Sequence, residues 1–275
     1  AEPGESEEQF SARRAAELEA MILHEGPDTV GAFIGEPVLG TGGITPPPAG
    51  YWAAIQAVLR KYDVLLIADE VVTGFGRTGA LFGCTKYDIE PDLITVAKGL
   101  TSAYVPLSAA IIGEKVYKVI EDGADKVGAF SHGYTYSGHP IGVACANAVL
   151  DIVEREDLPG NARTTGAYFQ DRLRQVFAQL PIVGEVRGVG LMAALEFVAD
   201  RDKKQRFDPA LKVGAKISAA ARARGLIARA MPHGDILGFA PPLVTTREEV
   251  DAIVDIAEAA VREVMDQLTR EKAVA

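Results

Sequence analysis

The chain has 275 residues, of which 48% are hydrophobic and 24% charged, a balance typical of a globular protein with a sizeable core. Its net charge of −10 argues against a nucleic-acid partner. No apolar run approaches the roughly 18 residues that a membrane-spanning helix requires, and Cys84 and Cys145 form no CxxC pair, so we expect no membrane association, no cysteine-bound metal, and a reducing, cytoplasmic compartment.

The first hundred residues alternate predicted helices with short apolar strands. A helix over residues 6–25 begins with a capping box formed by Ser6 and Gln9. The elements that follow are a strand in GAFIGEPV (31–38), a helix in GYWAAIQAVLRKYD (50–63), and strands in VLLIADE (64–70) and DLITVAK (92–98). Wholly apolar strands between helices indicate an α/β fold, with a mostly parallel sheet covered by helices on both faces.

Three of these strands end in charged residues. Glu36 closes the first strand, Asp69 the second and Lys98 the third. The carboxyl ends of parallel strands meet at one edge of a sheet, and ligands bind in the crevice beyond that edge. We therefore expect these three side chains to face one site.

The second half of the chain has a different texture. Pro159-Gly160 is predicted to end a helix at 141–157 and to separate it from a second helix at 161–180. From about residue 181, short strands are interleaved with helices, and the last helix is capped by Thr246 and Glu249. We predict part of a large domain over residues 1–152 and a small C-terminal α+β domain over residues 153–275.

Lys98 and Asp69 carry the most informative chemistry. A lone lysine at a strand end often extends to water, but a partly buried one, or one near another cation, can be an uncharged amine nucleophile. Asp69 could cap a loop or meet an arginine, or it could keep a pyridinium nitrogen protonated. The pair, on neighbouring strand ends, indicates a pyridoxal phosphate (PLP) site.

GFGRTG, at residues 74–79, matches the G-x-G-x-x-G pattern of dinucleotide-binding proteins. No amphipathic helix begins within it, and no acidic residue ends a strand about 20 positions later. We therefore expect a tight loop in which Arg77 is available for a salt bridge.

The histidines and hydroxyls offer weaker signals. No two of the four histidines, at positions 24, 132, 139 and 233, have the i, i+4 spacing with an acidic neighbour that would indicate a metal site. GYTYSGHP, at residues 133–140, places several hydroxyls just before a helix, where an anion can be held.

In combination, several segments resemble the class III PLP-dependent aminotransferases. They are GAFIGEPVLGTGG, LLIADEVVTGFGRTG, PDLITVAKGLTSAYVPLSA, HGYTYSGHP, GEVRGVGLMAALEF and GDILGFAPPL. The resemblance implies the fold type I of PLP-dependent transferases and PLP as cofactor. It implies transfer of an amino group between an amine or ω-amino acid and a keto acid such as pyruvate, and a homodimer or larger assembly that shares the site between subunits.

The resemblance also implies roles for individual residues. Lys98 resembles the lysine that binds the cofactor covalently and moves the substrate proton, and Asp69 the partner of the pyridine nitrogen. Val71 matches the residue packed against the ring, and Thr135 the threonine that binds the phosphate from the neighbouring subunit. Arg229 resembles the arginine that receives a substrate carboxylate, or it is a surface arginine at a strand end. Further cofactor-binding candidates are Glu36 and Tyr134.

Departures from the family pattern narrow the type. Ornithine and γ-aminobutyrate transaminases usually carry glutamine where this chain has Val72, and glutamate where it has Thr41. With Tyr134, these differences favour the amine:pyruvate or β-alanine:pyruvate type, the ω-transaminases. The family's amino-terminal part, with a phosphate-binding cup and an aromatic residue stacked on the cofactor, has no counterpart here, so we expect an incomplete enzyme.

Three alternatives stay open at this point. A class III aminomutase or decarboxylase would keep Lys98 and Asp69 without needing Arg229. An inactive fragment would act only through association with another chain. An α/β binding protein that does not use PLP is the third.

Overall fold

The computed structural model describes residue 2 and residues 4–270, and these form two compact units. The first unit comprises residues up to Pro37, Pro47–Phe75 and Leu81–Glu156. The second comprises Val38–Pro46, Gly76–Ala80 and the residues from Asp157 onward. The domains proposed from the sequence, 1–152 and 153–275, stay a prediction.

The first unit is built on a four-stranded sheet. Its strands are β1 (Ala32–Gly35), β2 (Leu65–Asp69), β3 (Leu93–Val96) and β4 (Ala109–Ile112), and its helices are α1 (Glu7–Glu25), α2 (Tyr51–Lys61), α3 (Gly83–Lys86), α4 (Glu114–Val127) and α5 (Pro140–Arg155). The strand order is β1-β2-β3-β4, with the first three parallel and β4 antiparallel to β3. The predicted α/β fold with a mostly parallel sheet is confirmed, whereas α3, α4 and β4 are additions to the predicted elements.

Helix α1 begins as its sequence predicts. The Ser6 hydroxyl accepts the Gln9 N–H at 3.2 Å, and the Gln9 side chain accepts the Ser6 N–H at 2.9 Å. These two bonds satisfy donors that the first turn of a helix leaves unpaired. Gly26, at φ +93°, ends the helix in a conformation that favours glycine.

The two faces of the sheet differ in cover. Leu66 and Ala68 of β2 are buried against α1 and α2, in a core that includes Trp52. Side chains two residues apart in a strand share a face, so Asp69 lies on the opposite face. Ile34, paired with Ile67 on that opposite face, is 59% exposed. Asp69 therefore belongs to the less covered face.

The second unit is an antiparallel sheet packed with three long helices. Its strands are β5 (Val183–Val189), β6 (Met192–Phe197), β7 (Arg229–Ala230) and β8 (Ile236–Phe239), and its helices are α6 (Leu158–Phe177), α7 (Val213–Ala223) and α8 (Arg247–Arg270). The order is β5-β6-β8-β7. Phe169, Leu195 and Val254 are fully buried in the shared core, and the capping box of Thr246 and Glu249 is confirmed.

The predicted break at Pro159-Gly160 is wrong. Both residues lie in the first turn of α6, and only Glu156 and Asp157 separate α6 from α5. The Asp157 carboxylate caps α6 by accepting the Gly160 N–H at 3.1 Å. Proline is tolerated there because the first turn of a helix has no use for its missing N–H.

Membrane insertion finds no support in the helices between residues 4 and 270, since none of them is both long enough and apolar enough to span a bilayer.

Helix α6 crosses the turn between β5 and β6 at two glycines. A Cβ on Gly166 would lie 2.4 Å from the carbonyl carbon of Gly190, so no larger residue fits without movement of the backbone. Gly190 itself has φ +55°, and a Cβ there would lie 2.4 Å from the carbonyl oxygen of Arg77. The crossing fixes this turn in the second unit.

Gly166→Ala should therefore destabilise the chain by about 1–3 kcal/mol, the usual effect of overpacking. Gly123→Ala is the matched control, because Gly123 is also helical and a Cβ there would meet only a Val127 methyl at 3.9 Å. The control should stabilise by about 0.5–1 kcal/mol through helix propensity. Urea unfolding measures both, and equal effects of the two changes would contradict the crossing.

Candidate active site

The structure brings three predicted residues to one edge of the first sheet. Asp69 is the last residue of β2, Glu36 follows β1 directly, and Lys98 lies two residues after β3. The pairing of Gly35 with Ala68, and of Asp69 with Thr95, places the three strand ends side by side. This is the edge where α/β proteins bind ligands.

Lys98 has an unusual backbone conformation. It begins a short 3₁₀ turn, Lys98–Leu100, with φ +42°, and its side chain is exposed in this chain. Ser102 and Ala103 also have positive φ, at 49° and 62°. For residues other than glycine this region costs roughly 1–2 kcal/mol each, so the loop after β3 holds strain beside the candidate nucleophile.

Gly99 is needed for close packing. A Cβ on Gly99 would lie 3.2 Å from the Cβ of Phe75 and 3.4 Å from the carbonyl oxygen of Gly74. The left-handed conformation of this turn is adopted by Lys98 and not by Gly99. The Lys98 segment is thus pressed against the loop that follows β2.

Asp69 is half-buried, and one of its oxygens is used locally. Its Oδ1 accepts the Val71 N–H at 3.0 Å, which fixes the plane of the carboxylate. Within residues 4–270, no hydrogen-bond donor is paired with Oδ2, and none of the described acceptors is paired with the Lys98 ammonium. A carboxylate oxygen and an amine are the two groups that a pyridinium N–H and an aldehyde require, so these residues fit PLP.

Glu70, beside Asp69, is not among the predicted site residues. It is fully buried and accepts three hydrogen bonds, from the Thr73 hydroxyl, the Gly83 N–H at 2.9 Å and the Cys84 N–H at 2.6 Å. Burial raises the pKa of the Cys84 thiol, and the Glu70 carboxylate raises it further. The DE pair at the end of β2, with a threonine three residues later, is the sequence signal for this network.

The GFGRTG loop contains no helix, as predicted. The expected salt bridge of Arg77 is wrong, because its guanidinium donates to the carbonyl oxygens of Leu191, at 3.0 Å, and Pro241. Burial lowers the pKa of Arg77 to about 10. This arginine therefore anchors residues 76–80 within the second unit.

The predicted phosphate-binding segment is an exposed turn of the first unit. Thr135 is exposed and Tyr134 is 79% exposed. The Tyr134 N–H donates to the Ser137 hydroxyl at 2.9 Å, and the Ser137 N–H donates to the Tyr134 carbonyl at 2.9 Å. Of the remaining predicted residues, Val71 is half-buried in the loop after β2.

Arg229 lies in the second unit. It begins β7, pairs with Gly238 of β8 and has an exposed side chain. The residues described between positions 4 and 270 include no group of three or more His, Cys, Asp or Glu side chains that could hold a metal ion.

Comparisons with known proteins agree with this arrangement. The family model described as Aminotransferase class-III matches residues 2–261. An uncharacterized aminotransferase, y4uB, of Sinorhizobium fredii is 79% identical over 98% of this chain, and a diaminobutyrate–2-oxoglutarate transaminase of Halomonas elongata is 64% identical over 98%. The chain spans 58% of the length of each.

A solved structure extends the similarity to the fold. The ω-transaminase of Pseudomonas jessenii in complex with PMP superposes with a TM-score of 0.93 at 44% identity. The superposition covers 97% of this chain and 58% of that one.

The strain at Lys98 gives a prediction that needs no cofactor. Lys98→Gly and Lys98→Ala both remove the amine, but only glycine is at ease at φ +42°. We expect the glycine variant to be more stable than the alanine variant by about 1 kcal/mol in urea unfolding. An alanine variant as stable as the glycine variant would show that the left-handed conformation is not held in solution.

Proposed function

The chain belongs to the class III aminotransferase family, and from that membership we propose that it takes part in PLP-dependent transamination between an amine or ω-amino acid and a keto acid such as pyruvate. The carrying observation is that the amine of Lys98 and one oxygen of Asp69, both at one sheet edge, have no partner among the described residues. The chain spans 58% of the length of these curated relatives, so the proposal is tested both on the chain alone and on the chain joined to the remaining segment of a relative.

Bound PLP supplies an aldehyde and an electron-withdrawing ring. Lys98 Nζ would hold the cofactor covalently and, when freed by a substrate amine, would move the proton between the substrate Cα and the cofactor C4′. Asp69 Oδ2 would accept a hydrogen bond from the pyridine N–H and keep that nitrogen protonated. Val71 contributes an apolar surface for one face of the ring.

Thr135, Tyr134 and Glu36 complete the proposed cofactor site. The hydroxyls of Thr135 and Tyr134 would bind the phosphate of the cofactor held by a neighbouring subunit, in a homodimer or larger assembly. Support comes from their exposure, together with that of Phe130 and Tyr136, which are 65% and 79% exposed. Exposed aromatic side chains in one short stretch are typical of an interaction surface.

Arg229 is the proposed carboxylate receptor. Its guanidinium is exposed and has no ion-pair partner among the described residues. A planar guanidinium grips a carboxylate by two parallel hydrogen bonds. The names of the relatives, which include diaminobutyrate and γ-aminobutyrate transaminases, support substrates with a terminal amine, and Val72 and Thr41 favour pyruvate as acceptor.

The relatives described above are all aminotransferases by name, and none supports an aminomutase or a decarboxylase. Transamination is therefore the one function that we propose.

Covalent attachment to Lys98 is the first test. The chain, alone and joined to the remaining segment of the y4uB relative, is incubated with PLP, reduced with borohydride and digested. We expect the label on the peptide that contains Lys98, with visible absorbance before reduction. Lys98→Arg, which keeps the charge but not the nucleophile, should lose both.

The two samples separate the possible outcomes. Label in the joined protein alone means that the cofactor site needs the remaining segment. The proposal fails if Lys98 remains unlabelled in both samples.

Arg229 gives a second test, in the joined protein. Arg229→Leu should raise the KM for pyruvate roughly 10- to 100-fold, the loss expected for a charge-assisted hydrogen-bond pair. The KM for an amine donor without a carboxylate should change little, since that donor has nothing for Arg229 to bind. Arg222→Leu, which removes another exposed arginine of the second unit, is the control. Equal changes for both substrates would assign Arg229 a structural role.

A further inference from the structure

We propose that Glu70 is a positioning residue that sets Asp69 and Lys98 in register with each other. The proposal rests on the proposed function, because it concerns the two residues assigned to the cofactor. Within the described residues the Glu70 side chain makes no hydrogen bond to either of them. It acts through the backbone segments that lead away from the three strand ends.

Burying the Glu70 carboxylate costs free energy. Its side chain is 0% exposed, and within residues 4–270 it has no cationic partner. A carboxylate is buried in this way only when donors satisfy it. Here three donors converge on it, two of them backbone N–H groups from Gly83 and Cys84. A fully satisfied buried network holds the segments that supply its donors in one geometry.

The donors to Glu70 come from two different segments of the chain, which we call stems. Thr73 lies on the stem that leaves β2, and Gly83 and Cys84 lie on the stem that returns. Between them, residues 76–80 belong to the second unit. Glu70 therefore joins both stems to each other within the first unit.

The outgoing stem packs against the loop that contains Lys98. The outgoing stem makes a tight turn in which the Gly74 N–H donates to the Glu70 carbonyl at 2.9 Å. Gly74 and Phe75 then pack on Gly99, next to Lys98. Phe75 is 5% exposed and lies 5.5 Å from the ring of Phe82.

The returning stem reaches the remaining strand end. A Cβ on Gly83 would lie 2.7 Å from the Cβ of Pro37, the residue after Glu36. The side chain of Glu70 thus fixes two stems that contact the chain just beyond β1 and β3, while its own backbone continues β2. Its N–H donates to the Thr95 carbonyl at 2.9 Å.

The turn closed by Glu70 is linked to Asp69 through Val71. Asp69 Oδ1 accepts the Val71 N–H at 3.0 Å, and Val71 is the first residue of the turn that Glu70 closes. Any rotation of this turn moves the donor that orients the Asp69 carboxylate. Loss of the network should therefore change the protonation of the cofactor ring and the approach of Lys98, beyond any loss of stability.

Glu70→Gln tests this in the protein that labels at Lys98. The amide keeps the shape but turns an N–H toward one of the backbone donors. We expect the pH midpoint of the cofactor's visible absorbance to shift by about one unit and the rate of borohydride-fixable attachment to fall about tenfold. Reaction of Cys84 with a thiol reagent, mapped by peptide mass, should be faster because the stems open.

Two further variants keep the test decisive. Glu90→Gln makes the same charge change at an exposed ion pair with Arg60 and should leave the midpoint, the attachment rate and Cys84 unchanged. Thr73→Val removes one donor from Glu70 at nearly constant volume, so it should shift all three readouts in the same direction by less. It also serves if the glutamine variant does not fold.

The outcomes separate the two proposals. If Glu70→Gln and Thr73→Val expose Cys84 but leave midpoint and attachment rate as in the wild type, Glu70 is only a structural residue and the inference is wrong. If the wild type itself forms no attachment at Lys98, the proposed function is wrong and the inference falls with it. Only the first result leaves the proposed function intact.

Discussion

The alternation of side chains at the end of β2 is the constraint on which the site depends. Adjacent residues of a strand face opposite sides of the sheet, so Asp69 and Glu70 cannot share an environment. Asp69 is half-buried on the less covered face and keeps one oxygen without a partner among the described residues, whereas Glu70 is fully buried and satisfied by three donors. Two neighbouring carboxylates thereby differ: Asp69 keeps an oxygen available for the proposed cofactor, and Glu70 binds only the protein.

The loop after β3 shows the complementary use of strain. Positive φ values at Lys98, Ser102 and Ala103 persist because the surroundings fix the loop. Thr101, between them, is 1% exposed and donates its hydroxyl to the Val105 carbonyl at 2.7 Å. Glycine is the residue that adopts such a conformation without strain, so the lysine at position 98 is not accounted for by backbone conformation; the proposed covalent role would account for it.

Local sequence patterns were enough to predict the strands β1–β3 and both capping boxes. The rule for parallel sheets was enough to predict the edge at which Glu36, Asp69 and Lys98 lie. It could not predict what depends on distant partners. Arg77 reads as an ion-pairing residue, yet its partners are carbonyl groups more than 100 residues away. In the sequence Glu70 cannot be told apart from Asp69 as a strand-end carboxylate. Only the structure shows that the Gly83 and Cys84 N–H groups donate to it.

The two arginines show why burial, and not residue type, decides a role. Arg77 is enclosed, and its donors are spent on fixed carbonyl groups, so it can hold a loop but cannot receive a ligand. Arg229 begins a two-residue edge strand, and among the residues described between positions 4 and 270 its exposed guanidinium has no ion-pair or hydrogen-bond partner. In the proposed role of Arg229, a receptor for a carboxylate that must also admit an uncharged substrate needs a side chain that loses little when the carboxylate is absent. A solvated arginine at the end of a short strand meets that requirement, since water replaces the substrate's hydrogen bonds, while a buried one would be left with unpaired donors.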